Sequence, residues 1–236
     1  MPADGDAAPL CVATRVGLLE KGASIEQKED SMQYRDIRDR LKTGDILLFS
    51  GKSRISEGIK FFSKSKWSHV GMVYRFYSPL DPQGSIFCWE STTLCDVKDA
   101  DTGKLTKGVQ RVELSERLER CFANGYAISV RPLTNPLDDA MVTALNAFRH
   151  EVSGRPYEKH IIELIKSLYD GVLGNNTEDL SSLFCSELVA EGYQRMGLLR
   201  SKPASNEYTP KDFSSEKNLC LERGYGLEYE IEIDSL

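Results

Sequence analysis

The sequence predicts an α+β domain in which an antiparallel sheet packs against helices. Strand-like apolar runs fill the first half, amphipathic segments follow, and an alternating stretch closes the chain. Strands and helices that come in blocks, rather than in βα alternation, favour a segregated layout over a parallel sheet.

Taken in order, residues 1–35 lack sustained periodicity and read as an N-terminal arm, partly mobile or helical from Ser24 towards Arg40. Residues 36–236 read as one domain. "TGDILLFSG" sets a short apolar run between Gly44 and Gly51, the pattern of a buried strand. "RISEGIKFFSKSKW" spaces Ile55, Ile59 and Phe62 as on a helix, with Lys60, Lys64 and Lys66 nearby. "SHVGMVYRF" alternates: Val70, Met72, Tyr74 and Phe76 face one way, His69, Gly71, Val73 and Arg75 the other. "YSPLDPQGS" is a turn-rich connection, and "IFCWEST" and "YAISVRPL" are further strands. "LDDAMVTALNAFRHEVSG" is a helix with Asp138 near its start and Gly154 just past its end. "HIIELIKSLYDGVLG" is a second helix and "SSLFCSELVAEGYQRMGLL" a third. "YTPKDFSS" is a loop with its own turn chemistry, and "GLEYEIEIDSL" a closing strand.

Composition narrows the function classes. The 236 residues, 40% hydrophobic and 28% charged, hold ample material for a core. A net charge of −6 argues against a general nucleic-acid binder. No apolar run reaches membrane-spanning length, and acids stand where a signal peptide needs basic residues, so a cytoplasmic location is expected. The six cysteines have no C-x-x-C spacing, which suits reduced thiols better than a disulfide framework or a zinc site. Neither a metal nor a cofactor is expected.

The chemistry centres on Cys185. In the third helix, Cys185, Leu188, Val189, Gly192, Tyr193 and Met196 share one face, with Glu187, Glu191 and Arg195 between them. A cap at Ser181 or Ser182 would put the cysteine in the first turn, where the helix dipole favours a thiolate. The bland alternative is a small buried hydrophobe. Among three histidines, His150 has charged neighbours and lacks a zincin partner, and His160 opens a helix. His69 begins a strand, and Gly71 on the same face leaves space beside the imidazole for another backbone or a substrate. Glu90 ends the next strand on the face of Ile86 and Cys88, where a carboxylate could orient the imidazole.

With His69 in "WSHVGMV", Glu90 in "CWEST" and Cys185 in "LFCSELV", in that order, the chain resembles the circularly permuted papain-fold family typified by bacterial YiiX and including a poxvirus member. That family is a branch of the NlpC-type cysteine peptidase superfamily, more distantly related to the lecithin–retinol acyltransferase group. "TGDILLFSG", "GRPYE" and "YTPKDF" also look like family features, and the resemblance runs from about Asp36 onward. It implies a permuted papain-like cysteine hydrolase: Cys185 the nucleophile, His69 base and then acid, Glu90 the orienting group. The Cys185 backbone N–H would contribute to an oxyanion hole. Tyr157, Gly71 and Ser68 would line the substrate site. The longer arm and the "YSPLDPQGS" connection depart from the bacterial pattern, which leaves specificity open.

The substrate is then a peptide, an amino-acid amide or a lipid amide, opened through a thioester. Two alternatives stand beside this reading. One is a lipid acyl hydrolase or acyltransferase, with the basic, aromatic residues 60–67 making weak contact with a membrane surface. The other is a binding module that keeps the fold without turnover.

Overall fold

Ile46, Leu47, Leu48 and Phe49 are all buried, because their strand lies in the middle of a sheet that is covered on both faces. This computed structural model describes residues 31–52, 56–57, 60, 64–155 and 180–236. The described elements are β1 (Ser31–Gln33), α1 (Tyr34–Ile37), β2 (Ile46–Ser50), β3 (His69–Ser78), β4 (Asp81–Thr92), β5 (Gly108–Glu113), α2 (Leu114–Ala123), β6 (Ala127–Arg131), α3 (Asp139–Val152), α4 (Leu180–Arg195) and β7 (Ile231–Ser235). Short 3-10 turns occupy Arg38–Arg40, Ser205–Glu207 and Pro210–Phe213.

The described strands form one seven-stranded sheet in the order β1-β7-β6-β2-β3-β4-β5. The expected mixed α+β layout is present, with one difference. β1 pairs with β7 in parallel, while the other neighbours are antiparallel. The sheet also begins at Ser31, inside the segment read as an arm, because Tyr34 and Ile37 behind it have a core to enter.

Alternation along the strands sorts the interior into two cores. Ile46, Leu48, Val70, Met72 and Trp89 pack under α3 and α4. Leu47, Phe49, Val73, Ile86 and Cys88 pack under α1 and α2 on the opposite face. The faces assigned to "SHVGMVYRF" hold, except that Phe76 is half exposed at the far end. The helix after Asp138 also holds: Asp138 accepts a bond from the Met141 N–H at 2.8 Å, and Gly154 has a φ of +68°.

Other readings are corrected. "YSPLDPQGS" is the tip of a hairpin rather than a connection between shorter strands. Ser78 pairs with Asp81, and the Arg75 and Phe76 partners are Ile86 and Ser85. Residues 108–123, which carry no element in the sequence reading, supply β5 and α2. Cys88, Cys95, Cys121 and Cys185 are free thiols, but Cys220 is disulfide-bonded, against the expectation of reduced cysteines throughout. The second helix expected after "GRPYEK" lies outside the described residues, as does most of the helix expected at 54–67.

Asp45 ties the start of β2 to the end of β6. Its buried carboxylate accepts the Lys42 and Leu133 backbone N–H groups, both at 2.9 Å, and lies 3.1 Å from Lys42 Nζ. Asp45→Ala strands two backbone donors, at about 1–3 kcal/mol for each one that stays buried. Urea unfolding should show a lowered midpoint with an unchanged slope.

Candidate active site

Cys185 reaches the sheet because α4 lies close against it. The face read from the sequence is buried: Cys185, Val189 and Tyr193 are wholly covered, Leu188 and Met196 nearly so. At Gly192 an added Cβ would stand 3.4 Å from Met72 Cε and from Trp89 Cζ3, so glycine there lets the helix sit directly on β3 and β4. Two hydrogen bonds fix the helix along its axis. Tyr193 donates to the Gly44 carbonyl at 2.6 Å, and Ser186 to the Tyr208 carbonyl at 2.5 Å.

His69, the first residue of β3, bridges the cysteine and the acid. Its side chain hydrogen-bonds the Cys185 sulfur, and Nε2 lies 2.6 Å from Glu90 Oε2. With Nε2 engaged by the carboxylate, Nδ1 is the nitrogen left for sulfur. Phe49 packs against the ring at 5.4 Å between centroids. The imidazole keeps 18% of its side-chain surface exposed, whereas Glu90 keeps 1% and Cys185 none. Solvent therefore meets the histidine, while the sulfur is covered.

Glu90 is buried with partners on both oxygens. Gln110, directly opposite on β5, donates to Oε1 at 3.1 Å. Arg117 of α2, fully buried, brings Nη2 to 2.6 Å from the same oxygen. That approach is an ion pair whose angle is too bent for a hydrogen bond, so charge rather than direction is what Arg117 supplies. Its Nη1 donates to Asp96 at 2.8 Å. The result is a row of alternating charge, His69–Glu90–Arg117–Asp96, that begins at the Cys185 sulfur in the core under α4 and ends beside the core under α2.

Burial pushes the Glu90 carboxyl up, but Arg117, His69 and Gln110 outweigh it and bring the pKa down to about 2. Burial likewise disfavours the His69 imidazolium. The opposing pull of Cys185 and then Glu90 wins, raising its pKa to about 10. At neutral pH the histidine is thus a cation beside the Glu90 carboxylate. An imidazolium against a cysteine sulfur is the partner that a thiolate–imidazolium pair requires.

The other expected residues divide. Ser68 does not face a groove: its buried hydroxyl accepts from the Gly51 N–H at 3.0 Å and donates to the Phe49 carbonyl at 3.3 Å, joining β2 to β3. Gly71 does not open space for a substrate either. A Cβ there would lie 2.9 Å from Cys88 Sγ, 3.3 Å from the Trp89 carbonyl oxygen and 3.4 Å from Glu90 Cβ, so β4 fills that space. Its bareness lets the Glu90 side chain cross to His69. Tyr157 lies outside the described residues. The helix begins by Leu180, which puts Cys185 in its second turn rather than its first. Its N–H falls within the helical ladder, so it is not a free oxyanion donor, and the imidazole rather than the helix terminus acts on the sulfur.

In the described part of the 60–67 segment, Ser65 and Trp67 are buried while Lys64 and Lys66 stay exposed. Lys66 stacks on Trp67 at 4.9 Å and pairs with Glu230 at 3.4 Å, and Lys60 pairs with Glu57 at 2.6 Å. Gln110 and Arg117 escaped the sequence reading. "GVQRVE" alternates and "LSERLERCFANG" repeats Leu114, Leu118 and Cys121 at helical spacing before Gly125, signals sufficient to place the strand and the helix that carry them, though not their contacts with Glu90.

Two outcomes follow. Gly71→Ala should cost about 1–3 kcal/mol in urea unfolding, as overpacked sites do. For the ion row, the raised His69 pKa contributes stability fully below about 6.5, lost as pH rises through about 10. The lowered Glu90 pKa contributes above about 4.5, lost as pH falls towards about 2. The stability difference between the native chain and His69→Gln should be greatest between pH 4.5 and 6.5. A difference flat from pH 4 to 10 would contradict this charge state.

No protein-family model matches the sequence, and no curated protein matches it. Among solved structures, the chain is similar to the metalloprotein YiiX from Escherichia coli O157:H7, at 16% identity and a TM-score of 0.45 over 83% of this chain and 98% of that one. Among the described residues, no helix is long and apolar enough to cross a membrane, and no group of three or more histidine, cysteine, aspartate or glutamate residues is placed to hold a metal ion.

Proposed function

We propose that the chain is a papain-like cysteine hydrolase of permuted topology that opens an amide or peptide-like bond through a thioester. The observation that carries this reading is His69 held between the Cys185 sulfur and the Glu90 carboxylate, 2.6 Å from the latter. Three side chains distant in sequence do not need this arrangement to fill a core; an apolar trio would fill it at lower desolvation cost.

The steps follow from the contacts. His69 holds the proton of the Cys185 thiol, and the thiolate sulfur attacks the substrate carbonyl carbon, forming a C–S bond. Collapse of the tetrahedral adduct breaks the C–N bond, and His69 delivers its proton to the departing amine. Water, deprotonated by the same imidazole, then adds to the thioester; the C–S bond breaks, the acid product leaves, and the proton taken from water stays on His69 beside the freed thiolate, as at the start. Glu90 stays ionised throughout and holds the ring by Nε2.

Trp67 is buried and the exposed Lys66 is paired with Glu230, so neither is the observation that favours a lipid-surface reading. An electrophilic acyl probe should modify Cys185 faster than Cys95, the exposed free thiol. Cys185→Ala should abolish labelling at that site, and His69→Gln should slow it by about 10²–10⁴-fold. Mass spectrometry of the labelled peptides reads the result. Labelling of Cys185 no faster than of Cys95, undiminished in His69→Gln, would remove the hydrolase reading.

A further inference from the structure

The hydrolase reading needs Glu90 to stay ionised while buried, and none of its three side chains explains how. Two cations flank the carboxylate: His69 on one oxygen and Arg117 at 2.6 Å from the other. His69 cannot be the permanent one, because it gives up its proton during turnover. Arg117 is fully buried and does not deprotonate at any working pH. It comes from α2, an element outside all three elements that carry the nucleophile, base and acid.

We infer that Arg117 is a positioning residue for the proposed chemistry: a buried counter-ion that keeps Glu90 an anion and so keeps His69 oriented and charged. The inference rests on that functional reading but makes a claim about the ion row alone. Its geometry supports charge over shape. Nη2 lies close to Oε1 without a hydrogen-bonding angle, while the directional bond to the same oxygen comes from Gln110.

The groups around Glu90 leave few competing explanations. His69 and, through it, Cys185 face it from β3 and α4, and Arg117 faces it from α2 with Asp96 beyond. Cys88 and Cys121 lie near, as does Tyr126, and burial pushes all three up so that they stay neutral across the useful pH range. Asp96 is the row's outer end, with 37% of its side chain exposed. It draws on the same guanidinium from the opposite side.

The test reads His69 directly and needs no substrate. The chain has three histidines, so ring-labelled protein gives three imidazole signals, and His69→Gln identifies one of them. Its chemical shift is followed with pH in the native chain and in Arg117→Gln, Arg117→Lys and Asp96→Asn. In the native chain the acid-side inflection that reports Glu90 lies near the bottom of the accessible range. In Arg117→Gln it should rise by about 1–3 pH units, the usual effect of losing an adjacent opposite charge. Arg117→Lys, which keeps the charge without the fork, should restore most of it. A purely structural role would melt the protein without moving this inflection.

Asp96→Asn is the variant most certain to fold, since it changes an exposed end of the row. Removing that negative charge should lower the pH at which His69 deprotonates. An unmoved acid inflection in folded Arg117→Gln, or an unmoved or raised deprotonation point in Asp96→Asn, would overturn the inference. Acyl-probe labelling of Cys185 decides the hydrolase reading separately, so the two can fail independently.

Discussion

A carboxylate placed where water cannot reach it is the constraint around which this structure is arranged. The effective penalty for burying one ion is several kcal/mol, and breaking a buried pair by removing one partner costs about 3–5 kcal/mol. Glu90, almost wholly covered, therefore requires His69 and Arg117 at the distances observed. Those distances in turn require the β3–β4 and β4–β5 registers as they stand, because the side-chain period is two. A slip of one residue would turn Glu90 into the opposite core, among Met72 and Trp89.

The same row joins the two faces of the sheet. Cys185 belongs to the core under α4 and Arg117 to the helix covering the other core, and His69 at the start of β3 lies between them. Apolar packing alone would hold each helix to its own face without relating one to the other. Charge alternation relates them. α4 is set in place by Gly192, Tyr193 and Ser186, whose contacts lie along its length, and α2 by the cap that Glu113 provides to the Glu116 N–H. Each helix thus has contacts of its own that hold it apart from the ionic row. An ion pair adds little where it must also order its partners.

How far the sequence reveals this depends on which interactions are local. β2, β3, α3 and the buried face of α4 follow from periodicity and caps, and those signals operate within one element. The pairing of His69 with Glu90 was legible as a possibility because both lie on one face of neighbouring strands. Arg117 was not, because nothing within "LSERLERCFA" marks one of its arginines as buried; that depends on a carboxylate one strand and more than twenty residues away. Ser181 and Ser182 misled for a related reason. Both are good caps, but a cap is used only where a helix starts, and α4 already runs by Leu180. Gly71 was read as leaving room for another backbone or a substrate, and it is the neighbouring strand that takes the room.

Covering the sulfur while leaving part of the imidazole exposed has a chemical consequence. A thiolate open to water is stabilised by solvent and gains little from a neighbouring cation, since two charges 4 Å apart attract by only about 1 kcal/mol at the dielectric of water. Shielded from solvent, the same pair attracts several-fold more strongly, and the imidazolium becomes the sulfur's principal source of stabilisation. The wholly covered Cys185, the partly exposed His69 and the buried Glu90 thus form a row in which the imidazole alone touches solvent. Under the proposed hydrolase reading, chemistry at such a site would wait on a substrate that displaces the cover. On that reading access to the pair governs reactivity, while the buried carboxylate behind the imidazole holds the ring in place.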